Sequence, residues 1–379
     1  MLVGPSMRIL ITNAHLEHYA GSEVVVRDLA LELQRRGHEP LVYSPKLGAI
    51  AQELIVRGVQ VTDQLSKLRS VPDIIHGHHH PQTLEALLHF PSVPAIFVCL
   101  AATYAVEEPF YFPRILRYVA VDERCRQRIA GAPAVPPDRI EVFLNSVDLE
   151  RFRSRGPLPA RVKRALVYSN YADRSTHWPA VRKACRRAGL DVDVVGRKAG
   201  NATTNPESIL PDYDIVFAKS CCALQAMAVG NAVVLCDFPG AGPMVASANF
   251  DSLRRMNFGA GVLVNPLQPE YIRKEIERYD PADAAEVSRR VRKEAGLADA
   301  VTRWLALYSS VVEEFRSLTR DPDAELQALS SYMGRWDYGK RIEWEQERLQ
   351  RIQAVPVIGR SLRYFARRLL QKWGEPGPM

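Results

Sequence analysis

The chain has 379 residues, of which 47% are hydrophobic and 25% are charged, and its formal net charge is +7. This composition is typical of a soluble globular protein, and the length predicts two domains rather than one. No apolar run approaches the roughly 20 residues that a membrane-spanning helix needs, and the N-terminus lacks the pattern of a secretory signal. The sequence therefore favours a cytoplasmic protein.

The cysteines are scattered along the chain, and none has the CxxC spacing of a metal site. In a cytoplasmic protein such cysteines are expected to be reduced and mostly buried. No acidic metal-ligand cluster stands out either. The six are Cys99, Cys125, Cys185, Cys221, Cys222 and Cys236.

Short β-branched segments alternate with helical segments through about the first 150 residues. This alternation predicts a parallel sheet covered on both faces, and ligands of such sheets bind beyond the carboxyl ends of the strands. The predicted elements are helices 23–36 and 49–57, and strands 8–12, 39–43, 59–61, 72–76, 95–99, 118–121 and 140–143. The segments at the ligand-binding edge are then 13–23, 76–80 and 100–103, together with Asn145.

The composition changes at residues 153–159, which read RSRGPLP. A short segment with glycine and two prolines predicts a linker between domains. The alternation of strands and helices then resumes, which predicts a second α/β domain. Its predicted elements are strands 165–169, 191–195, 215–218, 232–236 and 261–264, and helices 179–188, 223–229, 269–279, 282–295 and 297–315.

One βαβ unit, residues 212–237, stands out in this second domain. Its first strand is followed by Lys219, by Ser220 and two cysteines, and then by a run of strong helix formers that ends at Gly230. The turn places backbone N–H groups near Ser220 to Ala223 at the positive end of a helix dipole, which suits a phosphate. An ordinary crossover helix without a ligand would have the same pattern.

Five segments together resemble a GT-B glycosyltransferase of the large retaining family 4, which includes many bacterial envelope-polysaccharide enzymes. The run from Asn145 to Phe152 and the run 223–234 are the most specific of them. The others are MRILITNAH followed by Gly21-Ser22-Glu23, the segment 73–76, and the strand 118–122. The resemblance covers about residues 7–318 and implies an α/β GT-B fold, with two Rossmann-like parallel-sheet domains facing across a cleft.

The resemblance also implies a site. A nucleotide-sugar donor would bind mainly to the second domain, and a glycan or lipid-linked acceptor would lie against the first, without a separate cofactor, a metal or nucleic acid. The implied donor residues are Asn170, Arg197, Lys219, Ser220, Cys221, Cys222 and Gln225. The implied acceptor-side residues are His15, Gly21, Ser22 and His78, and the implied catalytic residues are Glu23 and His76.

The chain departs from the family pattern at the donor helix. Family members commonly carry two glutamates eight positions apart, whereas here the second position is Gln225 and the first is Phe217. The loop between strand and helix is shortened, and the Arg and Lys that often hold the diphosphate have only Arg174 and His177 as substitutes. The histidine that often follows the strand 95–99 is also missing. These differences affect turnover more than nucleotide binding.

Several implied site residues also have an ordinary structural interpretation. His76 to His80 could be a polar loop at a strand end, and Glu23 could simply favour the dipole of its helix. Arg197 could be a solvated loop charge, and Asn145 could merely turn the chain. Lys219 is the residue that the sequence favours most for the diphosphate, because it directly precedes the helix.

The segment 319–379 is predicted to be a basic helical tail beyond the domains 1–152 and 160–318. From residue 335 onward it has ten Lys or Arg and five Asp or Glu, which is +5 of the total +7. Six apolar residues between 360 and 373 form one helical stripe, which could lie on the inner face of an anionic membrane or pack on the protein's own surface.

The sequence therefore predicts a cytoplasmic glycosyltransferase, retaining and metal-independent, that transfers a sugar from a nucleotide donor during polysaccharide biosynthesis. Two alternatives stay open. One is a glycosyltransferase-like protein that binds nucleotide or glycan without turnover, and the other is a sugar-nucleotide epimerase.

Overall fold

The structure is a computed structural model that describes residues 6–335. The chain divides into two compact units, residues 1–319 and 320–379. The described part of the second unit is one helix, Pro322–Arg335. The predicted basic helix at 360–373 lies outside the described residues, and the three predicted domain boundaries stay predictions.

The N-terminal sheet has seven strands in the order β3-β2-β1-β4-β5-β6-β7, and all its pairs are parallel. The expected parallel sheet is therefore confirmed. The strands are β1 Arg8–Thr12, β2 Glu39–Tyr43, β3 Gln60–Thr62, β4 Ile74–His78, β5 Ala95–Cys99, β6 Ile115–Ala120 and β7 Ile140–Val142.

The C-terminal sheet has the order β12-β11-β10-β8-β9, and only β12 is antiparallel to its neighbour. The predicted strand 261–264 is wrong, because Ala260–Val262 forms a 3-10 turn. The fifth strand is instead a segment whose glycines and proline gave no strand signal. Its glycines are needed for close approach, since a Cβ on Gly240 would lie 2.4 Å from the carbonyl oxygen of Leu263. The strands are β8 Arg164–Tyr168, β9 Asp191–Val195, β10 Ile215–Ala218, β11 Ala232–Asp237 and β12 Gly240–Met244.

Helices cover both sheets. In the N-terminal part they are α1 Gly21–Arg35, α2 Ala49–Val56, α3 His80–His89 and α4 Glu123–Ala130. In the C-terminal part they are α5 Trp178–Arg187, α6 Pro206–Ile209, α7 Ser220–Val229, α8 Phe250–Arg255, α9 Pro269–Ile276 and α10 Pro281–Glu294. Helix α11 Leu297–Ser317 follows them in the chain, and α12 is the helix of the second unit.

Strand β4 begins and ends two residues later than the sequence predicts. The histidine run was expected to form a loop after residue 76, but His76 and His78 belong to the strand and α3 begins at His80. Gly77 allows helix α3 to pack against the strand, because a Cβ there would lie 2.4 Å from the Thr83 side chain. Because the run is polar, the sequence did not indicate that it forms the fully buried end of a strand.

Helix α11 does not complete the C-terminal half, as the sequence suggested. It packs on the N-terminal part, against α1 and β6. Arg117 of β6 pairs with Glu314 of α11 at 2.7 Å, and the buried stripe of α11 includes Tyr308. The sequence shows that this helix is amphipathic, but periodicity cannot tell which sheet its apolar face covers.

Across residues 6–335, no helix is both long enough and apolar enough to cross a membrane. The prediction of mostly buried cysteines is confirmed, since four of the six thiols are buried. The two that are only half-buried are Cys221 and Cys222, at the start of α7.

Candidate functional site

The loops that follow the strands of the two sheets meet in the middle of the first unit. The Asn170 side chain, after β8, donates a hydrogen bond to the Tyr19 carbonyl oxygen of the β1–α1 loop at 2.8 Å. The Asn145 side chain, after β7, lies 3.3 Å from the Cys221 sulfur of α7. The predicted donor and acceptor segments therefore face each other.

The N-terminal turn of α7 offers fewer free amides than the sequence suggested. The Ser220 amide donates to the Phe258 carbonyl oxygen at 2.8 Å, and the Ala223 amide donates to Lys219. The amides of Cys221 and Cys222 find no acceptor on another residue of the part of the chain that the structure describes. Burial raises the pKa of the Cys221 thiol to about 11, so the side chain beside these amides is uncharged at neutral pH.

Backbone strain concentrates at this turn. Ser220, Asn257 and Phe258 all have positive φ, at 49°, 55° and 50°, although none of them is glycine. Residues in this region of the Ramachandran plot persist only where surrounding contacts hold them, and they cluster at ligand sites. The segment Asn257–Phe258 was not predicted, because its only sequence signal is one Asn, which tolerates positive φ.

A buried arginine holds the same region. Arg254 donates to the Asn145 carbonyl oxygen at 2.7 Å and to the Asn257 side chain at 3.2 Å. Burial lowers its pKa to about 10, and the Glu294 carboxylate opposes that shift. Helix α7 has no acidic residue in its first turn, so Arg254 and the helix dipole place positive charge near its N-terminus, opposed by the Asp28 carboxylate near Cys221. This role of Arg254 could not be predicted from the sequence, because its contact with Asn145 spans 109 positions of the chain.

Lys219, the favoured diphosphate ligand, already has an anionic partner. Its ammonium group lies 2.7 Å from the Asp237 carboxylate. That buried carboxylate also accepts hydrogen bonds from the Ser169 hydroxyl at 3.1 Å and the Phe238 amide at 2.7 Å. The lysine also lies over the Tyr171 ring, 4.9 Å from its centroid. The positive charge of Lys219 is therefore largely balanced by Asp237 unless a ligand displaces the lysine from this partner.

The two positions that carry glutamates in the family play other parts here. Phe217 is fully buried in the core of the C-terminal sheet and cannot contact a ligand. Gln225 is 7% exposed, and its side-chain oxygen accepts a hydrogen bond from the Tyr168 hydroxyl at 3.0 Å. Gln225 is thus held in place at the edge of the cleft.

Asn170 and Arg197 lie side by side, as the site predicted from the sequence requires. The Asn170 side-chain oxygen accepts the Arg197 amide at 3.1 Å. The preceding residue, Gly196, lies so close to the β8 loop that a Cβ there would be 1.9 Å from the Ser169 carbonyl oxygen. This contact fixes the two loops against each other.

The β1–α1 loop carries the predicted acceptor-side residues. Glu23 is 6% exposed, its carboxylate accepts the His18 amide at 3.2 Å, and burial raises its pKa. Ser22 contacts the Asn13 side chain at 3.4 Å, and Gly21 is the first residue of α1. His15 is more open and pairs with Glu17 at 3.3 Å.

The two predicted histidines of β4 are deeply buried. His76 is 1% exposed and His78 is fully buried, so neither lies on an open loop. The Tyr308 hydroxyl is 2.6 Å from Nδ1 of His76, and Nε2 of His76 is 2.9 Å from Nε2 of His78. Burial lowers the pKa of His76 to about 3 and that of His78 well below its usual range. Both rings are therefore neutral at physiological pH.

Two cavities meet at Asp28 of α1. A narrow one of about 50 Å³ lies between α1, β4 and the start of α7, and its lining includes His78, Cys221 and Gln225. A groove of about 1010 Å³ runs along α1 and α2 past the loop 148–151. Only the groove is in the size range of ligand pockets, roughly 300–1,000 Å³.

Asp28 is expected to destabilise the protein at neutral pH. Burial raises its pKa from 3.8 to about 6, although Arg27 lies 2.5 Å away. The folded state therefore binds this proton more tightly than the unfolded state. The stabilisation of the folded state by the bound proton is fully present below pH 3.8 and is lost as the pH rises through 6. We expect Asp28→Asn to raise the free energy of unfolding at pH 7.5 by about 2 kcal/mol, after a discount for partial solvent access.

The measurement is urea unfolding at pH 7.5 and at pH 5. At pH 5 the gain in free energy of unfolding of Asp28→Asn over wild type should fall to about half of its value at pH 7.5. Arg27 keeps an ion pair with Glu53 at 2.9 Å in this variant. The exposed Asp138→Asn serves as the control and should change neither value. Equal stability of wild type and Asp28→Asn at both pH values would contradict the shifted pKa.

Comparisons with known proteins identify the fold. Neither a family model nor a curated protein sequence matches the chain. Solved structures do match it. A glycosyltransferase from Rickettsia africae has 14% identity and a TM-score of 0.61, with 81% of this chain and 99% of that chain covered. Anabaena HepE, crystallised with UDP-glucose, has 13% identity and a TM-score of 0.58, with 80% and 100% covered.

A third match is the catalytic domain of starch synthase IV from Arabidopsis thaliana, bound to ADP and acarbose. It has 10% identity and a TM-score of 0.52, with 82% of this chain and 100% of that chain covered. Identities this low bear on the fold alone, so membership of family 4 stays a prediction. The chain has the GT-B fold, in which two α/β domains face each other across a cleft.

Proposed function

We propose that the protein is a glycosyltransferase that takes a nucleoside-diphosphate sugar and transfers the sugar to a glycan or lipid-linked acceptor. The observation that carries this proposal is the N-terminal turn of α7. Its free Cys221 and Cys222 amides lie at the positive end of the helix dipole, between the two sheets. An anion is stabilised at such a helix end without a metal. HepE, which has the same fold, was crystallised with UDP-glucose.

The donor requires the two domains to separate. The space beside Cys221 is about 50 Å³, far below the size of a nucleotide sugar. The connections across it include exposed or half-buried polar contacts, such as the hydrogen bonds from Asn170 to Tyr19 and from Asn145 to Cys221. Hinge closure around ligands is common in two-domain proteins of this kind. The groove along α1, which opens at Asp28, then offers a path for the acceptor.

A binding protein without turnover is the second possibility, and two observations favour it. The ammonium group of Lys219 is occupied by Asp237, and Phe217 is buried in the core at the position of a family glutamate. Both changes weaken charge stabilisation at the reacting centre, whereas the α7 amides that would hold a diphosphate are unaffected. A sugar-nucleotide epimerase, the third possibility, would need no acceptor.

Thermal-shift screening with nucleoside diphosphates and their sugars, with and without EDTA, tests these proposals together. We expect at least one nucleotide sugar to raise the melting temperature by several degrees and to be hydrolysed slowly, with EDTA making no difference. Lys219→Ala should retain binding and lose hydrolysis if the lysine moves from Asp237 to the diphosphate. Binding without hydrolysis or transfer would support the second possibility, and release of an epimer would support the third. Failure of every nucleotide to bind would contradict the proposed function.

A further inference from the structure

The buried chain Tyr308–His76–His78 has one unmet group, which belongs to His78, a residue in the lining of the narrow cavity. Nδ1 of His78 finds no hydrogen-bond partner among the described residues, although the side chain is fully buried. His78 lines the narrow cavity together with Asp28 and Cys221. Buried polar atoms are almost always paired, so an unpaired one on a residue that lines a cavity indicates a missing ligand or water.

The protons in this chain can be assigned by counting donors. Each neutral imidazole carries one N–H, and each hydrogen bond needs one donor and one acceptor. If the Tyr308 hydroxyl donates to Nδ1 of His76, then Nε2 of His76 donates to Nε2 of His78. The remaining proton of His78 must then lie on Nδ1, so that this residue of the cavity lining carries an unpaired N–H donor.

The opposite arrangement leaves an additional buried group unmet. His76 would donate to the tyrosine oxygen, and the Tyr308 O–H would need another acceptor. Tyr308 is fully buried, is not among the residues that line the narrow cavity, and has no second hydrogen-bond partner in the described chain. An unmet buried hydroxyl is costly, so the arrangement in which Tyr308 donates is favoured.

The cavity also indicates what the His78 N–H binds. The Asp28 carboxylate is an acceptor at the same cavity, so a group that accepts from His78 and can also donate to Asp28 fits both. A hydroxyl does this, and a phosphate does not. The rest of the lining is mostly apolar, including Val24, Leu29 and Trp304, which disfavours a charged ligand.

We propose that Tyr308 is a positioning residue that fixes His78 as a hydrogen-bond donor for a hydroxyl group of the donor sugar. The inference rests on the proposed function, because a diphosphate at the Cys221 amide would place its sugar beside this cavity. A water molecule supplies the same hydroxyl chemistry when no sugar is bound, and the cavity of about 50 Å³ has room for one. Tyr308 acts at a distance, through His76.

The first test reads the tautomer directly. Long-range ¹H–¹⁵N NMR of the full chain labelled in histidine should show His78 with its proton on Nδ1, and His78→Gln assigns the signal. Tyr308→Phe should shift the proton toward Nε2. Tyr118→Phe is the matched control, since it removes another buried hydroxyl, bonded to the Phe110 carbonyl oxygen at 3.0 Å. A wild-type His78 protonated on Nε2, or a Tyr308→Phe spectrum unchanged at His78, would overturn the proposal.

The second test distinguishes sugar from water. Calorimetric titration should show UDP-glucose binding about tenfold weaker to Tyr308→Phe than to wild type, with UDP binding equally to both and Tyr118→Phe unchanged. Equal affinity of wild type and Tyr308→Phe for UDP-glucose would mean that only water occupies the cavity, which would overturn the sugar assignment. If wild type binds neither compound, the proposed function fails for this donor, whereas the tautomer result is judged by itself.

Discussion

Gly196→Ala is expected to lower the free energy of unfolding by at least about 3 kcal/mol, because a Cβ has no space at this position. It would lie 1.9 Å from the Ser169 carbonyl oxygen and 2.6 Å from the carbonyl carbon. Both atoms belong to the backbone, so no side-chain rotation can relieve the contact. The loops after β8 and β9 must then move apart.

The displacement should also reach the cleft. Ser169 supports Asp237 through its hydroxyl, and the neighbouring Asn170 holds both Arg197 and Tyr19. The free energy of unfolding measured in urea and the affinity for nucleotide should therefore both fall. Gly156→Ala is the matched control, since a Cβ at Gly156 meets nothing within 4 Å. A Gly196→Ala protein as stable as Gly156→Ala would show that the two loops are not held as described.

Most of the fold could be predicted from the sequence, because its signals are local. Strands such as β1, β5 and β9 are short β-branched runs, and the helix stop at Gly230 uses a left-handed conformation that glycine allows, with φ of 108°. Strand β12 could not be predicted, because its signal is not local. Its glycines serve the close approach of a distant segment, and a sequence pattern does not show such a contact.

The site was predicted less well, because its determinants are long-range. The position of Lys219 could be inferred from a local βαβ pattern and that of Gln225 from the family resemblance, but the Asp237 partner of the lysine could not be inferred. His76 was expected at the end of a strand and His78 in the loop after it, whereas strand pairing buries both and helix α11 packs against His76. Which charges are balanced and which amides are free depends on packing between elements that are far apart in the chain.

Ser220→Asp is expected to weaken binding of a nucleoside diphosphate by about 100-fold or more, because it places a negative charge beside the proposed diphosphate. Two unit charges about 4 Å apart repel by roughly 4 kcal/mol at an effective dielectric constant of 20. The stability of helix α7 itself should not decrease. An acidic residue in its first turn interacts favourably with the dipole, and Asp tolerates the positive φ of 49° at this position.

Ser220→Asn is the matched control, since Asn has nearly the same shape as Asp, tolerates the same backbone conformation and carries no charge. Any steric effect of the larger side chain, which approaches Gly259, is shared by the two variants. The difference between them therefore isolates the charge at the start of α7. Their melting temperatures should agree within a few degrees, with Ser220→Asp the more stable.

The most direct measurement of the central claim is calorimetric titration of UDP and UDP-glucose into wild type, Ser220→Asn and Ser220→Asp. If the turn ahead of Cys221 holds the diphosphate, Ser220→Asn should bind both compounds within a few-fold of wild type, and Ser220→Asp should bind neither measurably. Equal affinities of Ser220→Asp and Ser220→Asn would contradict the account, because they would place the diphosphate away from this turn.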